Sequence, residues 1–280
     1  MQTVELLQKE LDYKQYVKRR ANETDYQTLI KDDVLITTDG KPRILYKKLP
    51  KEDTALVRQA CKNVRYNKEQ RTAGLKTEST IFGYNPRNTI RKDFCSVTSM
   101  AYNYPKEHNI ICGFGGYMSK LYKEHFPNIY NKHKDIVNEK MLKEWVLNDT
   151  PFTSGIVNRN NPLKYHFDAG NIQGVLSNMV VFKNGVKGGY LSCPEFDIGF
   201  EVGDNTVILF DGQKILHGVT PISKRDDKAY RYSVVYYTLK QIWNCEPIDE
   251  EIARARQVRY KREHKRAAGG VNKEDLQWTK

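Results

Sequence analysis

The chain is predicted to be α+β, with helices concentrated in its first half and an antiparallel sandwich or barrel in its second. Two patterns predict this. Before Pro151, apolar residues recur at helical spacing. After it, short runs rich in Val, Ile, Phe and Tyr (176–182, 207–210, 232–239) alternate with Gly, Asn and Asp, the rhythm of short paired strands. Of the 280 residues 39% are apolar and 11% aromatic, enough to build a core, so a wholly disordered chain is excluded. No apolar run approaches the length of a membrane span, and the N-terminus lacks the apolar stretch of a secretory signal.

Taken in order, residues 1–20 read as a charged amphipathic helix, with Val4, Leu7, Leu11 and Tyr13 or Tyr16 near helical spacing. Residues 33–47 read as a hairpin, two apolar runs around a Thr-Asp-Gly-Lys-Pro turn. A helix is expected over 51–64, with Leu56, Ala60 and Val64 on one face. Helical patterns return over 117–148, interrupted at Pro127. The segment 101–105 and a loop over 113–117 are expected to put aromatics beside flexible Gly, able to stack on a flipped base, although such aromatics are more often core. The segment 248–266 reads as a basic helix, followed after Gly269-Gly270 by a mobile tail. This suggests an N-terminal extension over 1–79, a core over 80–245 and a basic C-terminal helix and tail over 246–280.

Lys and Arg number 46 against 34 Asp and Glu, a net charge of +12 that favours polyanionic partners, nucleic acid foremost. The positive charge is densest over 254–266, where seven Lys and Arg accompany one acid, Glu263. The helix is either a nucleic-acid contact or a solvated basic face. Cys61, Cys95, Cys112, Cys193 and Cys245 are odd in number and form no Cys-x-x-Cys pair. They are expected as unpaired thiols of a reducing, intracellular compartment. His108, His125, His133 and His264 lie in polar contexts and are expected at the surface.

The most informative segment is Lys-Tyr-His-Phe-Asp at 164–168. On a strand, residues two apart share a face, so His166 and Asp168 can bind one ion together. Alone the pair is as well read as a surface hydrogen bond. His217 stands 49 residues beyond Asp168, with about three strand-like runs between, and supplies a second imidazole. Two His and one carboxylate on one face of a metal leave other positions open, the arrangement of non-haem Fe(II) oxygenases. Arg231 follows, opening the run Arg-Tyr-Ser-Val-Val-Tyr-Tyr. It can grip a carboxylate through a bidentate fork, and Ser233 on the same face can donate to the same group.

This order of residues resembles the 2-oxoglutarate-dependent dioxygenases. The resemblance implies a double-stranded β-helix (jelly-roll) core with flanking helices. It puts the His-x-Asp pair on the second core strand, the distal His on the seventh and Arg231 on the eighth. It also implies Fe(II) held by His166, Asp168 and His217, with 2-oxoglutarate and dioxygen as cosubstrates. Three further features, spread over roughly 80–240, resemble the TET/JBP branch, which oxidises the 5-methyl group of 5-methylcytosine or thymine in DNA. Asn171 stands three residues after Asp168, at the offset of a base-contacting Asn. Tyr237 falls where an aromatic approaches the base. The segment Phe-Gly-Tyr-Asn-Pro-Arg-Asn-Thr-Ile-Arg at 82–91 resembles a stretch whose Arg reaches the far end of 2-oxoglutarate, with Arg91 and Arg87 both candidates. Leu239 departs from the branch, which has a base-contacting His there, and the Cys-rich zinc module of animal TET proteins has no counterpart in this sequence.

The implied enzyme is a compact phage or microbial dioxygenase acting on a base flipped out of DNA, monomeric and cytoplasmic (in the host cell if phage-encoded). Two other readings stand beside it. One keeps the chemistry but moves it to a nucleotide, an RNA base or a protein side chain. The other is a basic DNA-binding module whose His and Asp are structural.

Overall fold

A computed structural model of the chain describes residues 1–70, 76–87 and 93–269. In chain order the strands are β1 (Gln2–Glu5), β2 (Thr28–Ile30), β3 (Val34–Thr38), β4 (Lys41–Lys48), β5 (Asn67–Gln70), β6 (Lys76–Asn85), β7 (Ser96–Val97), β8 (Ser154–Arg159), β9 (Leu163–His166), β10 (Ser177–Asn184), β11 (Val186–Gly188), β12 (Leu191–Cys193), β13 (Ile198–Phe200), β14 (Thr206–Phe210), β15 (His217–Val219), β16 (Ile222–Lys224) and β17 (Tyr230–Tyr237). The helices are α1 (Tyr13–Tyr16), α2 (Lys51–Asn63), α3 (Ser99–Asn103), α4 (Pro105–His125), α5 (Pro127–Lys140) and α6 (Ile248–Ala267).

The major sheet runs β1-β3-β4-β14-β10-β17-β8-β6-β5, and the facing minor sheet β2-β13-β12-β15-β9. At their centre, β8, β10, β14 and β17 alternate along the chain with β9, β12, β13 and β15, so the polypeptide winds back and forth between two sheets. That is the expected jelly-roll core with flanking helices. It places His166 on its second strand, His217 on its seventh and Arg231 on its eighth. The β3–β4 hairpin closes as read, because Asp39 and Gly40 both take positive φ (50° and 66°), the geometry of a tight two-residue hairpin turn.

Strand alternation divides the major sheet into two faces. Val157, Val180, Phe182, Val207, Val234 and Tyr236 face outward and are covered by α2 and α4 through Val57, Ala60, Cys61, Ile111, Met118 and Tyr122. Met179, Val181, Ile208 and Phe210 face inward and meet Leu191, Cys193, Ile198, Phe200 and Val219 of the minor sheet. The space between the sheets is therefore apolar on the β14 side. On the β17–β8–β6 side it is lined by Arg231, Ser233, Val235 and Tyr237 with their cross-strand partners.

Several expectations are corrected. Residues 1–20 do not form one helix. Gln2–Glu5 adds to β3 as a parallel edge strand, and only Tyr13–Tyr16 is helical, so sheet pairing overrides a weak helical period. Leu56 is exposed on α2, whose buried face is Thr54, Val57, Ala60 and Cys61. Residues 113–117 lie inside α4 rather than in a loop, where Gly115 lets the helix approach the Tyr236 ring. Between Asp168 and His217 there are five strands rather than about three, because β11–β13 are too short to show alternation. His133 is fully buried rather than superficial. Cys95 and Cys245 form a disulfide across 150 residues, whereas Cys61, Cys112 and Cys193 are buried free thiols. The expected mobile tail lies outside the described residues.

Two glycines separate backbone need from incidental choice. A Cβ on Gly155 would overlap the Phe82 ring and the Val235 carbonyl, whereas one on Gly116, inside α4, would meet nothing within 4 Å. Gly155→Ala is expected to destabilise by about 3 kcal/mol through overpacking, and Gly116→Ala to stabilise by about 0.5–1 kcal/mol through helix propensity. Urea unfolding midpoints of the two variants check both signs.

Candidate active site

The site forms where β9 and β15 pair. His166 lies opposite His217 in register, so both imidazoles leave the minor sheet on one face, with ring centroids 4.4 Å apart. Asp168 follows two residues after His166, and its main-chain N–H donates to Gly212 O at 2.8 Å. Its Oδ1 lies 3.6 Å from His166 Nε2 and 3.7 Å from His217 Nε2. One ligand atom from each of the three lies within 4.8 Å of the others, the only such His/Cys/Asp/Glu group among the described residues.

The second ring nitrogens are already engaged. His166 Nδ1 lies 2.8 Å from Lys164 O and His217 Nδ1 lies 2.9 Å from Ile215 O. A carbonyl can only accept, so each Nδ1 carries a proton, and Nε2 is the ring atom left to face the Asp168 carboxylate. Burial, with neighbouring His166 adding to it, pushes His217 down to about 4, so it is neutral and able to ligate at physiological pH. Burial alone would raise Asp168, but the hydrogen bond from His166 and the proximity of both imidazoles outweigh it and pull the carboxyl down to about 2. Two imidazoles and one carboxylate are a suitable donor set for Fe(II), and their Nε2 and Oδ1 atoms converge.

Arg231 opens β17 on the inner face and is 1% exposed. Its backbone N–H donates to Asn160 Oδ1, yet among the described residues its side-chain Nε and Nη2 have no hydrogen-bond partner. A buried guanidinium with two unsatisfied donors is costly unless an anion completes it. Gly189 gives it room, since a Cβ there would stand 2.9 Å from Arg231 Cδ. Ser233 follows on the same face, 3.5 Å from Asn158 Nδ2. The inner wall then turns apolar at Ile81, Ile156 and Val235, which pair across β6, β8 and β17, and ends at Tyr237 beside Ser154. A ligand with a carboxylate at one end and chelating oxygens at the other, such as 2-oxoglutarate, fits between Arg231 and the triad in charge and polarity.

The structure thus brings together His166, Asp168 and His217, and sets Arg231, Ser233 and Tyr237 on the inner face of β17. It does not bring Arg87 there: that guanidinium is held by the Glu251 carboxylate, with Glu246 at 3.8 Å. Asn171 is buried, and its side-chain oxygen accepts from the N–H groups of Ile172 and Thr238, both at 3.0 Å. Arg91 lies outside the described residues. Sequence reading missed Ser177, whose hydroxyl donates to Asp168 Oδ2 at 3.1 Å, and Gly212, packed against the same carboxylate. Neither stands at a telling spacing from the His-x-Asp pair.

A jelly-roll core holding a two-His, one-carboxylate group and a buried Arg whose Nε and Nη2 have no partner among the described residues has the features of a non-haem Fe(II) oxygenase that uses 2-oxoglutarate. Comparison with known proteins agrees and is more specific. Residues 79–240 match Tet_JBP, the oxygenase domain of the 2OGFeDO superfamily, and the chain belongs to that family. It is an Fe(II)- and 2-oxoglutarate-dependent dioxygenase. Over 122 residues it is 30% identical to the bifunctional helicase and thymine dioxygenase JBP2 of Trypanosoma brucei brucei; the match covers 43% of this chain and 11% of that protein. The chain therefore spans only a small part of that relative. The structure is similar to NgTET1 in complex with 5mC DNA, with a TM-score of 0.60 at 20% identity, covering 87% of this chain and 84% of that one. That likeness is one of fold. No helix among the described residues is long and apolar enough to cross a membrane.

Gly212 offers a direct test of the triad. A Cβ there would overlap Asp168 Oδ2 and stand 2.9 Å from its Cγ. Gly212→Ala is expected to displace the carboxylate and weaken Fe(II) binding about 10-fold or more while the chain stays folded. Anaerobic metal titration followed by circular dichroism checks this. An unchanged affinity would mean that Asp168 does not hold the metal in this position.

Proposed function

We propose that this dioxygenase hydroxylates the 5-methyl group of a pyrimidine base, 5-methylcytosine or thymine, in DNA. The observation that carries the reading is the convergent His166–Asp168–His217 group together with Arg231, buried on the inner face of β17 with no hydrogen-bond partner for its Nε and Nη2 among the described residues. With the cosubstrate anchored at Arg231, the C–H bond must arrive at the triad from the side where His166 and Asp168 remain about one-third exposed. Bound there, the ferrous ion supplies the oxidation that converts 2-oxoglutarate and dioxygen to succinate and carbon dioxide while placing one oxygen atom in a C–H bond.

The chain's own residues have separable tasks in this reading. His166, His217 and Asp168 hold the metal, and Arg231 with Ser233 orients the carboxylate remote from it. Ile81, Ile156 and Val235 make the intervening wall apolar and suit a methyl-bearing substrate in place of a charged one. The catalytic core is proposed over 80–245, with 1–79 packed on it and 246–280 reaching out from it.

DNA as the substrate is supported by the family, by the thymine dioxygenase and 5mC-DNA descriptions of the two relatives, and by charge. A methyl group within a duplex lies too deep in the stack to reach the triad, so the base must be extruded, at a cost of a few kcal/mol that phosphate contacts offset. Helix α6 is suited to this. It turns Glu251, Ala255, Val258 and Arg262 toward the protein and leaves Arg254, Arg256, Arg259, Lys261, Lys265 and Arg266 exposed.

The test is incubation of the Fe(II)-loaded protein with 2-oxoglutarate, air and two duplexes, one carrying 5-methylcytosine and the other with thymine as its only methylated base. Nucleosides are read by mass spectrometry and succinate in parallel. A one-oxygen mass gain on one nucleoside is expected. Succinate without base oxidation would move the substrate to a nucleotide, RNA base or protein side chain. Replacing Arg254, Arg256, Arg259 and Lys261 by Glu is expected to flatten the salt dependence of DNA affinity, by about 0.9 in the log–log slope for each phosphate that is no longer neutralised. An unchanged slope would make α6 a solvated face only.

A further inference from the structure

We propose that Ser177, oriented by Asn171, decides which oxygen of Asp168 is offered to the metal, so that this pair positions the metal ligand. The inference rests on reading His166, Asp168 and His217 as the metal centre.

A carboxylate has two oxygens, and a metal that captures both loses a position its cosubstrates require. The two oxygens of Asp168 are not equivalent. Oδ1 faces the Nε2 atoms of His166 and His217, whereas Oδ2 accepts from Ser177 Oγ at 3.1 Å. Ser177 is the first residue of β10, is 4% exposed, and lies on the inward face that continues through Met179 and Val181. Its hydroxyl reaches Oδ2 from the major sheet, and Gly212 leaves room for the same oxygen where a Cβ would overlap it. With Oδ2 so occupied, Asp168 is a one-oxygen ligand through Oδ1.

The direction of the Ser177 hydroxyl is set in turn. Asn171 Oδ1 accepts from two backbone donors, the N–H groups of Ile172 and Thr238. That fixes which end of the amide is oxygen and turns the Nδ2 end toward Ser177 Oγ, 3.4 Å away. The amide N–H donates to the hydroxyl oxygen, which frees the hydroxyl proton for Asp168 Oδ2. The main-chain oxygen of Asn171 accepts from Gln213 Nε2 at 2.9 Å. Thr238 Oγ1 donates to Pro151 O and stands 2.9 Å from His133 Nε2. A continuous set of hydrogen bonds therefore runs from α5, through the end of β17, to the carboxylate at the triad. Both polar ends of Asn171 are engaged inside the protein, and the residue is only 7% exposed.

The test uses the full chain with Fe(II) and 2-oxoglutarate under anaerobic conditions and without DNA, so it is independent of the nucleic-acid substrate. The readouts are Fe(II) affinity and the visible charge-transfer band of the Fe(II)–2-oxoglutarate complex. Ser177→Ala is expected to lower affinity about 10-fold and to shift the band, and Ser177→Thr, which keeps the hydroxyl, to restore both. Ser177→Cys keeps the volume but donates weakly, and should resemble Ser177→Ala should the latter prove unstable. Asn171→Ala should lower affinity in the wild-type background and add nothing once Ser177 is Ala, since the two act in series. Wild-type affinity and an unshifted band in Ser177→Ala and Ser177→Cys would overturn the proposal, as would additive losses in the double variant. Asp168→Ala separates the two levels of inference. Its failure to bind Fe(II) supports the metal centre, and wild-type binding by it would remove the metal assignment together with the relay.

Discussion

The register between β9 and β15 governs everything at this site. His166 and His217 face one another only because Leu163 pairs with Val219 and the intervening irregularity returns the strands to alignment at the two imidazoles. Side chains alternate faces along a strand, so a slip of one residue would send one ring to the far side of the sheet and dissolve the ligand set. Nothing in the two rings enforces that register. Packing on the other face of the sheet does, with Tyr165 fully buried against Tyr16 and Ala21 of the N-terminal segment, its hydroxyl 2.7 Å from Ser192 Oγ and 2.9 Å from Asp25 Oδ2. Gly218 sits where a Cβ would stand 3.0 Å from that same ring. The chemistry is carried by three residues, but their convergence is an outcome of core packing.

A second constraint is electrostatic. Arg231 has no carboxylate partner among its described neighbours, and Lys183 lies directly opposite it on β10. Burial and the nearby Arg231 charge both lower Lys183, whose ammonium is held to Gly188 O at 2.8 Å. Arg231 and Lys183 thus set two cations close together on the inner face of the major sheet, an attractive position for a carboxylate before metal binding is considered. The polarity of the wall falls off from there, from Arg231 through Ser233 and Asn158 to Ile156 and Val235.

Much of this was legible in the sequence for simple geometric reasons. His-x-Asp needs only the two-residue period of a strand, and Asp39-Gly40 needs only the left-handed conformations of a tight turn. The strands after Pro151 were visible where they are long and hidden where they are three residues, as in β11–β13. What escaped was contact at long range. The Cys95–Cys245 pairing spans 150 residues and follows no spacing rule. His133 sits among polar neighbours in sequence, yet α5 turns it inward against Tyr122 and Phe152. Arg87 has the composition of a cosubstrate ligand, and only the folded chain brings the Glu251 carboxylate to it.

Glu251 also accounts for how a highly basic helix can be fixed to the protein without losing its charge. It is the buried residue of α6, 2% exposed, and its oxygens accept from Arg87, from the Cys95 N–H at 2.9 Å and from the Glu246 N–H at 2.9 Å. Burial would raise its pKa, but the Arg87 hydrogen bond and the two backbone donors outweigh that and hold it ionised. Three turns later Arg262 pairs with Asp93 at 2.9 Å. Both anchors reach the segment around Cys95, so the first turn of α6, the disulfide and the residues next to it form one unit. Removing a partner from such a buried pair leaves an uncompensated charge, a larger penalty than losing an exposed ion pair. Of the exposed cations of α6, Arg254 approaches Glu251 at 4.0 Å and Arg266 pairs with Glu263 at 3.0 Å, both within the helix. They can meet an external polyanion while the helix stays fixed to the core, which keeps capture at the surface physically separate from the hydrogen bonds that set the triad.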